Sequence, residues 1–154
     1  MKITIIAINN FEKNAYQEIF AEFKKRMHYN IDLKELKTKL VKNISQNQIK
    51  KEEGAVILKN IDKNSFIIAL DEKGKEHSSK DFAALFEKIT LGGKSHITFI
   101  IGGAYGLDEE VLQNANLRMS LSKLTFPHLM VRIILIEQIY RAQSIIDGHP
   151  YHKE

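Results

Sequence analysis

The sequence predicts an α/β protein, a mostly parallel sheet with helices on both faces. Three observations lead there. Short runs such as ITIIAI at 3–8, SFIIAL at 65–70 and ITFII at 97–101 are apolar at nearly every position, as strands covered on both faces must be. Between them, apolar residues recur every three or four positions, the period of an amphipathic helix. The two patterns alternate along the chain, and that alternation packs best as parallel strands with helical crossovers.

Residues 3–8 form the first strand, ended by Asn9-Asn10. Tyr16, Ile19, Phe20, Phe23 and Met27 make one stripe of a helix from Ala15 to Met27, and Ile31 and Leu33 mark a second strand within 29–36. Residues 37–50 read as a polar, basic connection, and helical spacing resumes near Gln48 and ends about Lys59. After the strand at 65–70, Asp71-Glu72-Lys73-Gly74-Lys75 has the composition of a turn. Ser78 or Ser79 caps a helix running to Leu91, and Gly92-Gly93 ends it. The strand at 97–101 closes on Gly102-Gly103. Asp108 caps a short helix carrying Val111 and Leu112, and 118–126 reads as a strand giving way to a loop. A last helix spans about Pro127 to Ile146, with proline in its first turn. Its apolar residues cover most of its circumference, so it needs a second surface, and a homodimer supplies one. A polar tail, DGHPYHKE, follows.

The 154 residues suit one domain, and 44% hydrophobic with 27% charged residues suits a folded globule. Without cysteine, disulfide scaffolds, cysteine-type zinc sites, iron–sulfur clusters and thiol chemistry are excluded. The first residues lack the h-region of a signal peptide, and no apolar run is long enough to span a bilayer, so a cytoplasmic location is expected. The net charge of +4 is compatible with an RNA or an anionic metabolite without requiring either.

Several segments carry candidate chemistry. IGGAYG at 101–106 follows a strand, and its glycines let a ligand approach backbone, although an unliganded tight turn reads equally well. The motif matches neither the dinucleotide fingerprint nor the P-loop. Leu70 ends the neighbouring strand, so its backbone and Gly102-Gly103 could hold a neutral purine and ribose; ordinary core is the alternative for Leu70. Lys75 is a solvated turn residue unless that crevice meets a phosphate. Ser120, Ser122, Lys123 and Thr125 alternate with Leu121, Leu124 and Phe126, as a loop around an apolar, polar-edged ligand would. Glu137 and Arg141 share a helix face, as a plain salt pair or as part of a site with His149, Tyr151, His152 and Lys153. His149 and His152 have no companion cluster to make a metal site, so no metal is expected.

MKITIIAI, KEEG at 51–54, LDEKGK at 70–75, FIIGGAYGL at 99–107, SLSKLTFPHLMVRIILIEQIYRAQSI at 120–145 and HPYHKE at 149–154 together resemble the ribosomal RNA large subunit methyltransferase H family over the whole chain. These are SPOUT-class enzymes that methylate N3 of pseudouridine 1915 in 23S rRNA. The resemblance implies a single SPOUT domain over 1–154 with a C-terminal trefoil knot. It also implies a homodimer, assembled 70S ribosomes as substrate, and S-adenosylmethionine as methyl donor. The donor would sit among Leu70, Gly102, Gly103 and Leu121, Ser122, Lys123, Leu124, Thr125 and Phe126. The tail would work at the target base in the partner's site. There Lys153, Arg141 and His152 would meet developing negative charge, with His152 also a proton acceptor. Glu137 would orient Arg141 or act as base, and Tyr151 would stack on the target base or hydrogen-bond to it. Lys37, Lys39 and Lys42 are candidates for rRNA phosphate. One departure is Asn9-Asn10, where relatives often carry glycine followed by lysine or another polar residue. A SPOUT enzyme acting elsewhere on RNA and a non-catalytic ribosome-binding dimer are the competing readings.

Overall fold

Ten elements alternate strictly in the computed structural model, which describes residues 1–11, 14–38 and 43–153. They are β1 (Lys2–Ile8), α1 (Ala15–Arg26), β2 (Asn30–Leu36), α2 (Gln46–Asn60), β3 (Phe66–Glu76), α3 (Ser79–Leu91), β4 (His96–Ile101), α4 (Glu109–Asn114), β5 (Leu117–Ser120) and α5 (His128–Ile146). The strands form one sheet in the order β2-β1-β4-β3-β5, every pair parallel. The expected class and the order of elements are both present. Lys39 and Lys42 lie outside the described residues.

Strand periodicity divides the core. Ile3, Ile5 and Ala7 of β1 face one side and pack with Phe20, Phe82, Phe86, Leu135, Ile136 and Ile139, the residues of α1, α3 and α5. Ile6 and Ile8 face the other and pack with Ile57, Val111 and Leu112 of α2 and α4. The apolar side chains of β1 meet helices on both faces, which is why ITIIAI is apolar at nearly every position without alternation.

The caps are local. Ser78 accepts from the Asp81 N–H and Asp81 accepts back from Ser78, a capping box for α3. Asp108 accepts from the Glu110 N–H to start α4. A second box, Ser45 with Gln48, starts α2 at Gln46, ahead of the apolar spacing that marked the helix in the sequence. The turn expected at 71–75 is instead the second half of β3. Leu70 and Lys75 both pair with Met119, so the residues between them bulge out and the strand resumes against Ser120. Strand pairing here overrides turn composition.

Arg132 of α5 has no solvent exposure. It donates to the carbonyls of Ile8 and Asn9 at 2.7 and 2.6 Å and to Glu35 Oε1 at 2.9 Å, and it lies over the Phe11 ring. The last helix is thereby tied to the carboxyl ends of β1 and β2. Asn9 sits at φ 68°, a left-handed conformation that asparagine tolerates, so the departure from glycine at this position keeps the turn. No helix among the described residues is long and apolar enough to cross a membrane.

Candidate active site

The carboxyl ends of β3 and β4 open into a cleft of about 830 Å³. Its floor is backbone. Leu70 stands where β3 leaves β4, the last pair being Ala69 with Ile100. Beyond β4 the chain folds back at once: the Gly106 N–H donates to the Gly103 carbonyl at 3.1 Å, with Gly106 at φ 81°. A Cβ on Gly102 would stand 2.8 Å from the Gly106 carbonyl carbon, so the turn closes only on glycine.

The opposite wall is the segment after β5. Ser120 Oγ donates to the Ser122 carbonyl at 2.9 Å, and the Leu124 N–H donates to Ser122 Oγ at 3.0 Å. These bonds give the segment a fixed shape with Leu121, Leu124 and Phe126 beside hydroxyls. Of the nine residues expected to hold a ligand, Leu70, Gly102, Gly103, Leu121, Ser122, Leu124, Thr125 and Phe126 line this one cleft. Lys123 does not; it is exposed on the same segment. Lys75 is also exposed and outside the cleft, while Lys73 is at its edge.

A second cluster forms on the far half of α5. Glu137 Oε1 accepts from Arg141 Nε at 3.0 Å, from Arg141 Nη2 and from the Tyr151 hydroxyl at 3.0 Å. Its Oε2 accepts from Gln138 Nε2 at 2.6 Å. The carboxylate is thus engaged on both oxygens, which suits it to orienting Arg141 and not to taking a proton. The Arg141 guanidinium lies 4.8 Å from the Tyr151 ring centre and 3.4 Å from His152 Nδ1. Its hydrogen bond to Glu137 raises its pKa above the usual guanidinium range. Burial, and then the bond to Glu137, raise that of the Tyr151 hydroxyl. The pair expected at Glu137 and Arg141 is present and carries the tail: Tyr151 and His152 dock on it, while His149 and Lys153 remain exposed. None of Glu137, Arg141, Tyr151 and His152 lines the cleft. One chain therefore holds the two halves of the expected site apart.

The family model described as "Predicted SPOUT methyltransferase" matches residues 1–152. The chain belongs to the SPOUT methyltransferase family. Within it, the chain is 43% identical over 159 residues to the ribosomal RNA large subunit methyltransferase H of Clostridium botulinum (strain Langeland), covering 99% of this chain and all of that one. The protein of the same name from Ruminiclostridium cellulolyticum is 39% identical over the same span. These similarities place it in the ribosomal RNA large subunit methyltransferase H family. A probable methylase family protein from Haemophilus influenzae shares the fold, with TM-score 0.56 at 16% identity over 99% of this chain and 70% of that one. A putative methylase family protein from Neisseria gonorrhoeae does so at TM-score 0.52 and 13% identity, over 99% and 86%.

Three features of this SPOUT methyltransferase's cleft escaped the sequence reading. Arg118 donates to Asp71 at 2.7 Å, an ion pair at the cleft edge that needs the unforeseen bulge. His128 lines the cleft, its pKa lowered first by burial and then by nearby Arg132. Glu53 is buried beneath the glycine turn; the KEEG motif contained it, but spacing alone gave it no role.

Proposed function

We propose that this chain is an S-adenosylmethionine-dependent 23S rRNA methyltransferase that modifies N3 of pseudouridine 1915 in assembled 70S ribosomes, working as a cytoplasmic homodimer. The observation that carries this reading is the near-complete alignment, 43% identical over 99% of the chain, with a protein of that family. The cleft fits the donor by its own chemistry. Glycine backbone that a Cβ would clash with, apolar Leu70, Leu121 and Phe126, and the hydroxyls of Ser122 and Thr125 suit a neutral purine and ribose. When bound, S-adenosylmethionine supplies an electrophilic methyl group on sulfur.

What the protein contributes is position and charge. Leu70 and Gly102-Gly103 hold one side of the ligand and the 121–126 segment holds the other, which aligns donor and acceptor atoms. The target imide nitrogen must lose a proton, and negative charge grows on the pyrimidine carbonyls. Arg141, fixed by Glu137, and Lys153 face that charge. His152 accepts the proton, and Tyr151 offers a ring for the base.

Two further features belong to this reading. The Glu137–Arg141 cluster lies outside its own chain's cleft, so a second copy must bring its tail to it. Leu124 and Met130, 70% and 36% exposed, are apolar surface next to the cleft for that copy to cover. The knot is the second. After β5, at the sheet edge, the chain returns to α5, whose Arg132 reaches the end of β1 two strands beyond β3. That path runs across the loop ends and supports threading of the C-terminal segment.

The test is methyl transfer from labelled S-adenosylmethionine to 70S ribosomes from a strain lacking this gene, with the label located by nuclease digestion and mass spectrometry. Label on the pseudouridine supports the reading. Label elsewhere makes the chain a SPOUT enzyme of another target, and neither binding nor transfer makes it a non-catalytic dimer.

A further inference from the structure

Glu137 and Arg141 of α5 do not meet in the arrangement that such pairs often take. An arginine facing a carboxylate often forms a fork, with one N–H group on each oxygen. Here Arg141 Nε, at 3.0 Å, and Arg141 Nη2 both donate to Glu137 Oε1, and the Tyr151 hydroxyl donates to the same oxygen at 3.0 Å. Glu137 Oε2 accepts instead from Gln138 Nε2 at 2.6 Å. Three donors crowd one oxygen while a neighbouring amide takes the other.

Gln138 is in turn held from outside its own helix. Ser79 Oγ, at the start of α3, donates to Gln138 Oε1 at 2.7 Å. A carboxylate only accepts, so the amide must turn its NH2 to Glu137 and its oxygen to Ser79. Adjacent residues on a helix do not face each other. Gln138 reaches α3 and Glu137 reaches the tail, so the bond between them joins two surfaces of α5. The amide also lines a cavity of about 220 Å³, so hydrogen bonding, more than packing, sets its direction. On the far side of Glu137, the Arg141 guanidinium lies 4.8 Å from the Tyr151 ring centre, and its Nη1 lies 3.4 Å from His152 Nδ1.

We propose that Gln138, anchored by Ser79, is a positioning residue for methyl transfer: by occupying Glu137 Oε2 it denies the ion pair a two-oxygen fork and keeps the Arg141 guanidinium against Tyr151 and His152. This rests on the reading of that cluster as the one that meets the target base. With Oε2 released, the guanidinium turns to share both oxygens and leaves the tail. Ser79, Gln138 and Glu137 thus carry the position of α3 to the arginine.

The experiment compares Q138L, S79A, R141A and the double variant Q138L/R141A in the full chain. It measures single-turnover methylation of 70S ribosomes, S-adenosylmethionine calorimetry, and the arginine Nε–H nuclear magnetic resonance signals of the free protein. The chain has only the arginines at 26, 118, 132 and 141, so each signal can be followed separately. Losing one hydrogen bond to a charged group corresponds to about tenfold in rate, the slowing expected of Q138L. S79A, which keeps the amide but frees its oxygen, slows transfer about threefold. S-adenosylmethionine affinity stays within about twofold in both, since neither residue lines the cleft. Q138L slows R141A by less than about twofold, because its effect passes through that guanidinium. The Arg141 signal moves in Q138L and S79A, while those of Arg26, Arg118 and Arg132 hold. If Q138L does not fold, S79A decides by the same readouts. A parental rate, an unmoved Arg141 signal, equal slowing with and without Arg141, or an affinity loss as large as the rate loss would overturn the proposal. A parent that transfers no methyl group to 70S ribosomes overturns the reading of the cluster, and this inference with it, wherever the Arg141 signal lies.

Discussion

At the amino end of the sheet, Thr4 Oγ1 lies 2.9 Å from His96 Nε2, and His96 Nδ1 lies 3.3 Å from Asp62. Hydroxyl, imidazole and carboxylate in that order match the parts of a hydrolytic triad. At the carboxyl end nothing so familiar is present, only glycines, a bulged strand and a run of serines. Yet the proposed chemistry belongs to the second end. Thr4 is 3% exposed, and none of the three amino-end residues lines the 830 Å³ cleft. Close by, Ser65 and Thr98 pair their hydroxyls at 2.7 Å, both buried. That end satisfies its polar groups internally. The carboxyl end leaves Glu53 Oε2 and Arg132 Nε without partners among the described residues, and it holds Asn9 and Gly106 in left-handed conformations. Access and incompletely satisfied groups mark the site better than residue types do.

The sharpest way to break this contrast is one substitution at each end. Gly102→Val places a branched side chain against the Gly106 carbonyl, where even a Cβ has 2.8 Å. S-adenosylmethionine affinity should fall by about 100-fold or more in calorimetry, the scale expected when a site is displaced by about 1 Å. Thr4→Val should leave methylation at the parental rate and cost about 1 kcal/mol of stability for its lost hydrogen bond. A methylation defect in Thr4→Val of the same size would erase the distinction between the two ends.

Arg132→Met tests whether the carboxyl end is held together by one buried cation. Methionine fills much of the volume but takes the guanidinium donor from the Ile8 and Asn9 carbonyls, and leaves Glu35 Oε1 with the Phe11 N–H. Leaving a buried carbonyl without its donor costs about 1–3 kcal/mol, which urea unfolding would read as a lower midpoint. A loss below about 1 kcal/mol would mean that water replaces the guanidinium readily.

Arg141→Ala addresses the tail cluster. With its Glu137 and Tyr151 contacts gone, the single-turnover methylation rate should fall about 100-fold. S-adenosylmethionine affinity should remain parental, because Arg141 is not part of the cleft. Equal losses in rate and affinity would merge two regions that the structure keeps separate.

The same contrast explains what could be read from sequence. Burial periodicity is local, so Ile3 to Ile8, the α1 stripe and the Ser78 and Asp108 caps announced themselves. The cleft was legible in outline because adjacent parallel strands must end together, which brings Leu70 to Gly102. The bulge at 71–74 was not legible. Its composition is that of a turn, and only pairing with Met119, more than 40 residues away in sequence, makes it a strand. Glu53 and Arg132 were invisible as buried groups for a related reason. A charged residue on a helix reads as solvent-facing unless its distant partners, here Gly103 for one and Ile8, Asn9 and Glu35 for the other, are known.

The smallest expected effect separates two histidines. Burial, with Lys2 adding to it, lowers the His96 pKa despite the opposing pull of Asp62; burial, with Arg132, lowers that of His128. For an imidazole whose folded pKa lies below the unfolded value of about 6.5, the unfolded chain binds the proton more readily. Each therefore adds stability that is complete above about pH 6.5 and is lost as pH falls through the folded pKa. His96→Gln and His128→Gln should each flatten part of this slope in urea midpoints taken between about pH 5 and 8. Only His128 lines the cleft; His96 faces Thr4, Asp62 and Lys2 at the closed end. Saturating S-adenosylmethionine should change the slope that His128→Gln removes and leave the His96 contribution as it was, because a ligand couples only to titrations that its binding alters. An equal response at both histidines would show that the amino end, closed as it is, is energetically linked to the site.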